Sequence, residues 1–402
     1  MRAIIKPGRA VGKISAPPSK SAAHRLLICA AMANGVSSVH GVSDCDDVRA
    51  TLDCLCALGV KYEKTGCDYK IFGIDAFKSN PKEPLYCRES GSTLRMMIPI
   101  AALSGNRTSF TAEPGLLNRP MTVYEELFSE RKLCFERFEN GYTVKGPLRD
   151  GIYTVRGDVS SQFISGLIFA LAACKGQSEI HILPPIESKS YILMTLNALA
   201  EFGANAYFSD NETVVISGGG YSPSDVFVEG DFSGTAFTDA LGLLGGEVEI
   251  SGLSDNSPQG DKIYREFYHL LKSGSPKIDI TDCPDLAPIL FALSTAMNGA
   301  EFTGTARLKF KESDRAAAMA AELSKLGAEI LVAENSVTVK KSELHAPTSP
   351  ILSHGDHRIV MALAVLLTLV GGEIVGCEAV SKSYPRFFED LKKLNIDVKI
   401  YE

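Results

Sequence analysis

The sequence lacks the long apolar run that a membrane-spanning helix requires. Its longest run, IVMALAVLLTLV at 359–370, is too short to cross a bilayer and ends at Gly371-Gly372. We therefore predict a buried helix there and expect no membrane association. The first residues, MRAIIKPGRAVGKI, contain no apolar leader segment and no cleavage site, which indicates a cytoplasmic protein.

Positive charge is also scarce, since 41 Lys and Arg residues stand against 48 Asp and Glu residues and the net charge is −7. Proteins that bind nucleic acid usually carry a basic surface, so nucleic acid is not the expected ligand. A site for small anions would have to concentrate its cations locally.

Common disulfide, phosphate and metal motifs are missing as well. The ten cysteines include no CxxC pair and no framework spacing, so we expect reduced thiols. GRAVGKI at 8–14 lacks the length and the hydroxyl residue of a phosphate-binding P-loop. HGDH at 354–357 does not match the HExxH pattern, and we predict no metal site.

What the sequence does contain is one pattern repeated six times. Each copy has a short polar start rich in Ser, Asp or Gly, then an apolar run of helical length, then Gly or Asn. A strand-like stretch, an amphipathic helix and a strand or hairpin follow. The spacing is about 70 residues, except for about 52 between the fourth and fifth copies. The copies begin at Ser19, Ser90, Val159, Asp231, Cys283 and His354.

This pattern predicts an α/β fold of six β-α-β-α-β-β units. The first helix of each unit is apolar on nearly every side and should be buried, whereas the second has one apolar face and should lie outside. Six units in 402 residues predict two lobes of three units, each lobe an inside-out α/β barrel with its first helices inside.

The boundary between the lobes is expected near VFVEGD at 226–231, where the third copy ends. A Pro-Pro pair follows the N-terminal strand and is typical of a crossing linker, so we assign that strand to the C-terminal lobe. The predicted lobes are residues 15–229 and residues 1–14 plus 230–402. We expect the active site in the cleft between them.

The helix starts carry charges at matching positions of the repeat. Helix N-termini attract anions by roughly 0.3–1 kcal/mol, and Arg and Lys bind phosphate and carboxylate groups. Capping alone would explain the serines and aspartates equally well. Within KESDR, Ser313 is the predicted N-cap, and Asp314 has no predicted role beyond favouring the helix start or orienting a cation. The cations are Lys20, Arg25, Arg95, Arg119, Lys189, Lys311, Arg315, Arg358 and Lys382. Among them, Asp285 and Glu312 are the carboxylates suited to proton transfer.

Eight segments of the chain carry a family resemblance. In chain order they are PSKSAAHRLLICAAMANG, ESGSTLRMMIPIAAL, DVSSQFISGLIFAL, ESKSYILMTL, PDLAPILFAL, KESDRAAAMAAELSKLGAE, DHRIVMALAV and SKSYPRFFEDLKKL. They resemble the 5-enolpyruvylshikimate-3-phosphate synthase family, and VEGDFSG in the fourth unit is a weaker match. The matches cover nearly the whole chain.

The resemblance implies a two-lobed transferase that closes on its substrates. It would transfer the enolpyruvyl group of phosphoenolpyruvate to the 5-hydroxyl of shikimate 3-phosphate and release phosphate, a step towards chorismate and the aromatic amino acids. The resemblance also implies no metal and no organic cofactor, only small-molecule partners, and glyphosate as a competitor of phosphoenolpyruvate. We expect a monomer.

The same resemblance assigns site residues by motif position. The residues implied for shikimate 3-phosphate are Ser21, Arg25, Ser160, Ser161, Gln162, Ser188, Tyr191, Asp285 and Lys311. Those implied for phosphoenolpyruvate are Lys20, Gly91, Arg119, Gln162, Arg315, Arg358 and Lys382. Asp285 would accept the proton of the 5-hydroxyl group. Glu312 would transfer a proton at the enol methylene, with Lys20 and His357 nearby.

The chain departs from the family's common pattern at four positions. Glu89 and Met96 replace an Asn and a Pro. Arg307 stands where many members carry Asn, and Arg386 where an Asp is frequent. These differences leave the substrate contacts around Glu89 and Arg307 open.

Three alternatives are weighed against this interpretation. The sister enzyme that acts on UDP-N-acetylglucosamine has the same architecture, but TAEPGLLNRP lacks its loop cysteine and Ser21 replaces the Asn that usually follows Lys20. A non-enzymatic six-unit ring such as a sliding clamp would need basic helices that line a pore. An RNA-terminal-phosphate cyclase would need a catalytic histidine near the C-terminus and a basic surface.

Overall fold

A computed structural model of the chain describes residues 1–402. The chain divides into two compact units. The continuous unit is Pro18–Glu229, and the discontinuous unit combines Met1–Pro17 with Gly230–Glu402. In neither unit does any helix have the length and apolarity needed to cross a membrane.

The helices and strands alternate along the chain as the repeat predicts. The helices are α1 (Lys20–Met32), α2 (Asp46–Ala57), α3 (Gly91–Ala101), α4 (Pro114–Leu117), α5 (Thr122–Glu130), α6 (Ser161–Ala173), α7 (Lys189–Glu201), α8 (Phe232–Leu243), α9 (Tyr264–Ser273), α10 (Ala287–Ala296), α11 (Arg315–Ser324), α12 (His357–Val370) and α13 (Phe387–Lys393). Short 3₁₀ turns lie at Ala76–Lys78, Ala102–Ser104, Gly260–Ile263, Pro284–Leu286, Ala306–Phe310 and Cys377–Lys382.

The strands are short, as expected for small repeated sheets. They are β1 (Arg2–Ile5), β2 (Val11–Ser15), β3 (Val36–His40), β4 (Lys61–Thr65), β5 (Asp68–Phe72), β6 (Leu85–Tyr86), β7 (Arg107–Thr111), β8 (Cys134–Phe138), β9 (Gly141–Lys145), β10 (Ile152–Arg156), β11 (Ser178–Leu183), β12 (Ala206–Phe208), β13 (Thr213–Ile216), β14 (Asp225–Phe227), β15 (Glu247–Ser251), β16 (Lys277–Asp279), β17 (Ala300–Thr303), β18 (Ile330–Val332), β19 (Ser336–Val339), β20 (Ile351–Leu352), β21 (Gly372–Val375) and β22 (Val398–Tyr401).

The continuous unit contains three four-stranded sheets with one shared design. Their orders are β14-β3-β5-β4, β6-β7-β9-β8 and β10-β11-β13-β12. In each sheet the first two strands are parallel and the other neighbours are antiparallel. The strand that follows each buried helix is therefore the one that joins the parallel pair to the hairpin.

Helices α1, α3 and α6 form the interior of the continuous unit. In α1, every residue from Ala23 to Met32 is buried, because the run is apolar on nearly every side. Each of the three helices begins with a serine cap whose hydroxyl oxygen accepts a backbone N–H bond. These caps are Ser19, Ser90 and Ser160. The polar starts are therefore helix caps, as the capping interpretation holds.

The discontinuous unit contains two four-stranded sheets and one pair of strands. The orders are β16-β17-β19-β18, β20-β21-β1-β22 and β15-β2. The N-terminal strand β1 lies antiparallel between β21 and β22, and β2 is parallel to β15. The buried helices here are α8, α10 and α12, and α12 is buried from His357 to Thr368. The six sheets of the two units are separate and open rather than one closed barrel.

The fourth unit departs from the predicted β-α-β-α-β-β pattern. It has β2, α8, β15 and α9, but no hairpin follows α9. Helix α9 ends at Ser273 and β16 of the next unit begins at Lys277, so the chain has no residues left for two more strands. This shortening explains why the fourth and fifth copies are closer in sequence than the others. The expectation of six sheet-and-helix units is confirmed, with this one truncated.

Candidate active site

Arg315 is the centre of a carboxylate–guanidinium cluster in the discontinuous unit. It is the first residue of α11 and only 1% exposed. Its Nη1 donates to Asp285 Oδ1 over 2.8 Å, its Nη2 to Glu312 Oε2 over 2.6 Å, and its Nε to Asp356 Oδ2 over 2.8 Å. Burial acts to lower the pKa of Arg315, but Asp356, Glu312 and Asp285 together hold it well above its usual range. The guanidinium is therefore fixed in one orientation by three carboxylates.

Asp285 of the same cluster contacts three cations. It lies in the 3₁₀ turn before α10, and its Oδ1 is 2.8 Å from Arg315 Nη1 and 3.2 Å from Lys311 Nζ. Its Oδ2 accepts from Arg358 Nη2 over 2.9 Å. Burial acts to raise the pKa of Asp285, but Arg358, Lys311 and Arg315 outweigh it and hold the pKa well below its usual range. The carboxylate is ionised at neutral pH.

Lys311, Lys382 and His357 complete the predicted residues of this unit. Burial lowers the pKa of Lys311, and the charge of Asp285 opposes that shift. Lys382 Nζ donates to the backbone oxygen of Gly355 over 2.5 Å. His357, the first residue of α12, is 1% exposed.

Sequence reasoning gave Asp356 no role of its own, although the residue ties two elements of the cluster together. It is fully buried and caps α12, because its Oδ1 accepts the backbone N–H of Arg358 over 2.9 Å. Its Oδ2 also accepts from Arg315 Nε and from Ser313 Oγ, over 2.8 and 3.1 Å. An Asp before an apolar helix is a recognisable cap. The contact with Arg315 depends on packing and cannot be predicted from the sequence.

The predicted cap of α11 is wrong by one residue. Ser313 was expected to cap the helix, but Asp314 does so, accepting the backbone N–H of Ala317 over 3.1 Å. Ser313 instead donates to Asp356. Ser and Asp are both good caps. Because the Ser313 side chain is bonded to Asp356, Asp314 is the residue that caps α11.

Arg307, one of the departures from the family pattern, is buried in the discontinuous unit. It is 8% exposed, and its Nη2 donates to the backbone oxygen of Thr281 over 2.8 Å. Met96, in α3 of the continuous unit, is 1% exposed and belongs to the apolar core.

A second cluster, at the starts of α1, α3 and α6, lies in the continuous unit. Lys20 Nζ is 2.7 Å from Asp47 Oδ2, and both side chains are 12% exposed. Gln162 links α6 to α3, since its Nε2 donates to Ser92 Oγ and its Oε1 accepts from Arg95 Nη1, each over 2.9 Å. Sequence reasoning did not single out Asp47, because its charge is unremarkable until Lys20 is packed against it.

Gly91 lies directly against two other predicted residues. A Cβ atom placed on it would be 3.1 Å from Arg119 Nη1 and 3.5 Å from Gln162 Oε1. The first distance is tighter than ordinary contact, so only glycine lets the guanidinium rest there undisturbed. The structure thus brings together Gly91, Arg119 and Gln162.

Two of the residues predicted for shikimate 3-phosphate, Ser21 and Tyr191, contact Arg25 through their backbone oxygens. Its Nη1 donates to the backbone oxygen of Ser21 over 2.7 Å, its Nη2 to that of Tyr191 over 2.9 Å, and its Nε to Thr195 Oγ1 over 2.9 Å. Burial lowers the pKa of Arg25 to about 10, so the group stays charged at neutral pH. Ser188, just before α7, has a left-handed backbone with φ of 57°, which is strained for a residue other than glycine.

The predicted residues therefore fall into two groups, one in each unit. The continuous unit holds Lys20, Ser21, Arg25, Gly91, Arg119, Ser160, Ser161, Gln162, Ser188 and Tyr191. The discontinuous unit holds Asp285, Lys311, Glu312, Arg315, His357, Arg358 and Lys382. Both groups combine fixed cations with helix N-termini, which suits phosphate and carboxylate ligands.

Comparisons with known proteins agree on one family. The family model described as EPSP synthase (3-phosphoshikimate 1-carboxyvinyltransferase) matches residues 4–391. A protein of that name from Clostridium kluyveri is 39% identical, with 98% of this chain and 97% of the relative covered. One from Clostridium botulinum is 36% identical, with 97% of this chain and 96% of the relative covered.

Solved structures share the fold at lower identity. A structure of EPSP synthase from Acinetobacter baumannii superposes with a TM-score of 0.78 at 22% identity, covering 99% of this chain and 100% of the other. The enolpyruvyl transferase NikO from Streptomyces tendae superposes with a TM-score of 0.77 at 16% identity, covering 99% and 98%. The fold alone is therefore common to more than one enolpyruvyl transferase. The match over nearly the full length to the family model and to the curated relatives is more specific, and the chain belongs to the EPSP synthase (3-phosphoshikimate 1-carboxyvinyltransferase) family.

Proposed function

We propose that the protein is a 3-phosphoshikimate 1-carboxyvinyltransferase. It transfers the enolpyruvyl group of phosphoenolpyruvate to the 5-hydroxyl of shikimate 3-phosphate and releases phosphate. The observation that carries the proposal is the contact of Asp285 with Lys311, Arg315 and Arg358. These residues lie at motif positions of the family whose model matches residues 4–391. A carboxylate among three cations suits a base that works beside anionic substrates.

Each substrate is assigned the residues that the family resemblance implies for it. Shikimate 3-phosphate is bound by Ser21, Arg25, Ser160, Ser161, Gln162, Ser188, Tyr191, Asp285 and Lys311. Phosphoenolpyruvate is bound by Lys20, Gly91, Arg119, Gln162, Arg315, Arg358 and Lys382. The fixed orientation of Arg25 and Arg315 supports this assignment, because a guanidinium that is already held loses little freedom when it binds an anion.

Substrate binding would make Asp285 a better base. While Lys311, Arg315 and Arg358 contact its carboxylate, their charges hold its pKa well below the usual range. An anionic substrate that binds the same cations offsets their charge and raises the pKa of Asp285 towards a value useful for accepting a proton. Base strength is thereby coupled to substrate binding.

The reaction then balances with three proton transfers at the substrates, and the hydroxyl proton that Asp285 takes finally leaves with the released phosphate. Glu312, which is paired with Arg315 as a carboxylate, must first take up a proton, and it then gives this proton to the methylene carbon of phosphoenolpyruvate. Protonation makes the adjacent carbon electrophilic. The 5-hydroxyl oxygen attacks that carbon as Asp285 takes the hydroxyl proton. The carbon–oxygen bond to phosphate then breaks, and the new methyl group returns a proton to Glu312, which restores the double bond. Lys20 and His357 lie at their helix starts as further groups for these transfers, and the surrounding cations stabilise the phosphate and carboxylate charges throughout.

The test is a coupled measurement of phosphate release and product. With phosphoenolpyruvate and shikimate 3-phosphate, we expect one phosphate for each enolpyruvyl ether detected by proton NMR. UDP-N-acetylglucosamine as the acceptor should give none. Failure to release phosphate from the first pair, or release with the second acceptor alone, would contradict the proposal.

A variant tests the role of Asp285 within that assay. Asp285→Asn should lower kcat by about 100-fold or more, because the base is lost, while calorimetry shows shikimate 3-phosphate binding within a few-fold of wild type. Asp255→Asn is the matched control, since Asp255 is exposed and pairs only with Arg265. Retained turnover with a large loss of binding would contradict the assignment of the base.

A further inference from the structure

A chain of buried polar groups runs beneath the starts of α1, α2 and α3. His24 Nδ1 lies 2.8 Å from Thr51 Oγ1, and Thr51 Oγ1 lies 2.7 Å from Thr93 Oγ1. Thr93 Oγ1 lies 2.8 Å from Ser90 Oγ. None of the four residues is more than 1% exposed. We call these four residues the hydroxyl relay.

The relay has a direction that follows from counting hydrogens. Thr93 has one hydroxyl hydrogen, which it donates to Ser90 Oγ over 2.8 Å, with the backbone oxygen of Asp47 as a more distant acceptor at 3.4 Å. Neither acceptor is Thr51, so Thr93 must accept from Thr51. Thr51 has then used its own hydrogen and must accept from His24. His24 therefore carries its proton on Nδ1.

The surroundings of His24 agree with this tautomer. Its Nε2 atom is buried and has no hydrogen-bond partner, as fits a nitrogen without a proton. Burial lowers the pKa of His24 well below its usual range, and the charges of Lys20 and Arg25 lower it further. The imidazole is neutral and acts as a fixed donor to Thr51.

The relay ends at residues of the proposed phosphoenolpyruvate site. Ser90 caps α3 and is followed directly by Gly91. Asp47, one turn before Thr51 on α2, pairs with Lys20, which lies one turn before His24 on α1. Thr93 Oγ1 is also 3.4 Å from the backbone oxygen of Asp47. Each relay residue is thus within about one helical turn of Gly91, or of Lys20 and its partner Asp47.

We propose that His24, Thr51 and Thr93 are positioning residues that hold Lys20 and Gly91 in place for phosphoenolpyruvate. The proposal rests on the proposed function. Apolar side chains would pack the three helices but would leave them free to slide, whereas directional hydrogen bonds fix their register. Small displacements matter at such a site, because a shift of about 1 Å in a reacting group can cost about 100-fold in rate.

Valine and serine variants separate the hydroxyl groups from the packing. Thr51→Val and Thr93→Val keep nearly the same shape and remove a relay hydroxyl, whereas Thr51→Ser and Thr93→Ser keep it. In the valine variants we expect the KM for phosphoenolpyruvate to rise about 10-fold and the KM for shikimate 3-phosphate to change less than about 3-fold. The serine variants should stay within about 2-fold of wild type for both.

The kinetic outcome is decisive in either direction. Valine variants with a wild-type KM for phosphoenolpyruvate overturn the proposal. So does an equal rise in both KM values together with a loss of thermal stability, which would indicate a merely structural role. If the wild-type protein releases no phosphate from the two substrates, the proposed function fails, and the assignment of the relay to that site fails with it.

A spectroscopic test measures the wild-type protein and does not depend on turnover. A variant is needed only to assign the signal. Nitrogen-15 NMR of the wild-type imidazole groups should show the His24 ring neutral and protonated at Nδ1 at every pH from about 5.5 to 8. His24→Asn, which keeps an N–H donor near the Nδ1 position, identifies that signal by its disappearance. A His24 signal that is protonated at Nε2, or that titrates near its ordinary pKa, overturns the relay while leaving the proposed function intact.

Discussion

At the residue scale, Asp261 is a buried carboxyl group that the local sequence does not predict. It lies in the 3₁₀ turn before α9, is 2% exposed, and accepts a short hydrogen bond from Ser233 Oγ. Burial, together with the charge of Asp285, raises the pKa of Asp261 to about 6, although Arg358 opposes the shift. The local sequence QGD at 259–261 does not indicate that Asp261 is buried, because its burial arises only when α8 and the following loop pack together.

Asp261→Asn should stabilise the protein at neutral pH and leave it unchanged at about pH 4. The carboxyl group has a folded pKa of about 6 and an unfolded pKa of about 3.9, so folding takes up a proton between these values. The free energy of unfolding of the wild type therefore falls as pH rises from about 4 to 6 and remains lower above that range. Asn carries no charge to bury, so the variant should gain about 1–3 kcal/mol above pH 7.

Urea unfolding at pH 4 and at pH 7.5 measures this difference. Asp255→Asn serves as the control, because Asp255 is exposed and its removal should have the same small effect at both pH values. An equal change for Asp261→Asn at both pH values would contradict the raised pKa of the buried carboxyl group.

At the element scale, the buried helices could be predicted from the sequence, and the pairing of distant strands could not. Helices α1 and α12 could be predicted as buried because their runs are apolar on nearly every side. The pairing of β14 with β3, and of β15 with β2, joins segments far apart in the chain. Such pairing depends on the folding of the whole unit. The missing hairpin after α9 could be inferred from the sequence only as a shorter spacing between the fourth and fifth copies.

The start of α11 gives an element-scale prediction. Asp314→Ala should lower the free energy of unfolding by about 1 kcal/mol, because the backbone N–H of Ala317 loses its acceptor. Asp314→Asn keeps a side-chain oxygen at the cap and should lose much less. Urea unfolding of both variants, with hydrogen exchange at the Ala317 amide, provides the measurement. Equal losses in the two variants would show that the charge of Asp314, rather than its cap bond, stabilises the helix.

At the scale of the whole molecule, the repeat allowed the cations of the site to be predicted. Their carboxylate partners could not be predicted, because those contacts depend on packing. Lys20, Arg315 and Arg358 could be predicted as site residues because charged residues recur at the helix starts of several copies. A charge at one helix start alone would not have distinguished a site from a solvated surface. Their carboxylate partners Asp47 and Asp356 were given no role as partners. Those pairs join residues that are far apart in sequence, and only the packed helices bring them within hydrogen-bonding distance.

The ten cysteines give a prediction that spans both units. Seven are buried, Cys56 and Cys67 are exposed, and Cys134 is intermediate. The thiolate is the reactive form, and burial raises the pKa of Cys29 and Cys87 well above the ordinary range. The thiols of Cys29 and Cys87 are thus protected both by lack of access and by protonation.

Ellman's reagent should therefore label the native protein at few positions. We expect rapid reaction at Cys67 and slower reaction at Cys56, because burial and the nearby Asp53 raise the pKa of Cys56. Cys134 should react partially, and the other seven thiols only in denaturant. Cys67→Ser should remove the fast phase, and peptide mapping identifies the labelled sites. Fewer than ten thiols in the denatured, unreduced protein would contradict the fully reduced state. Reaction of any of the seven buried thiols without denaturant would contradict the packing around that thiol.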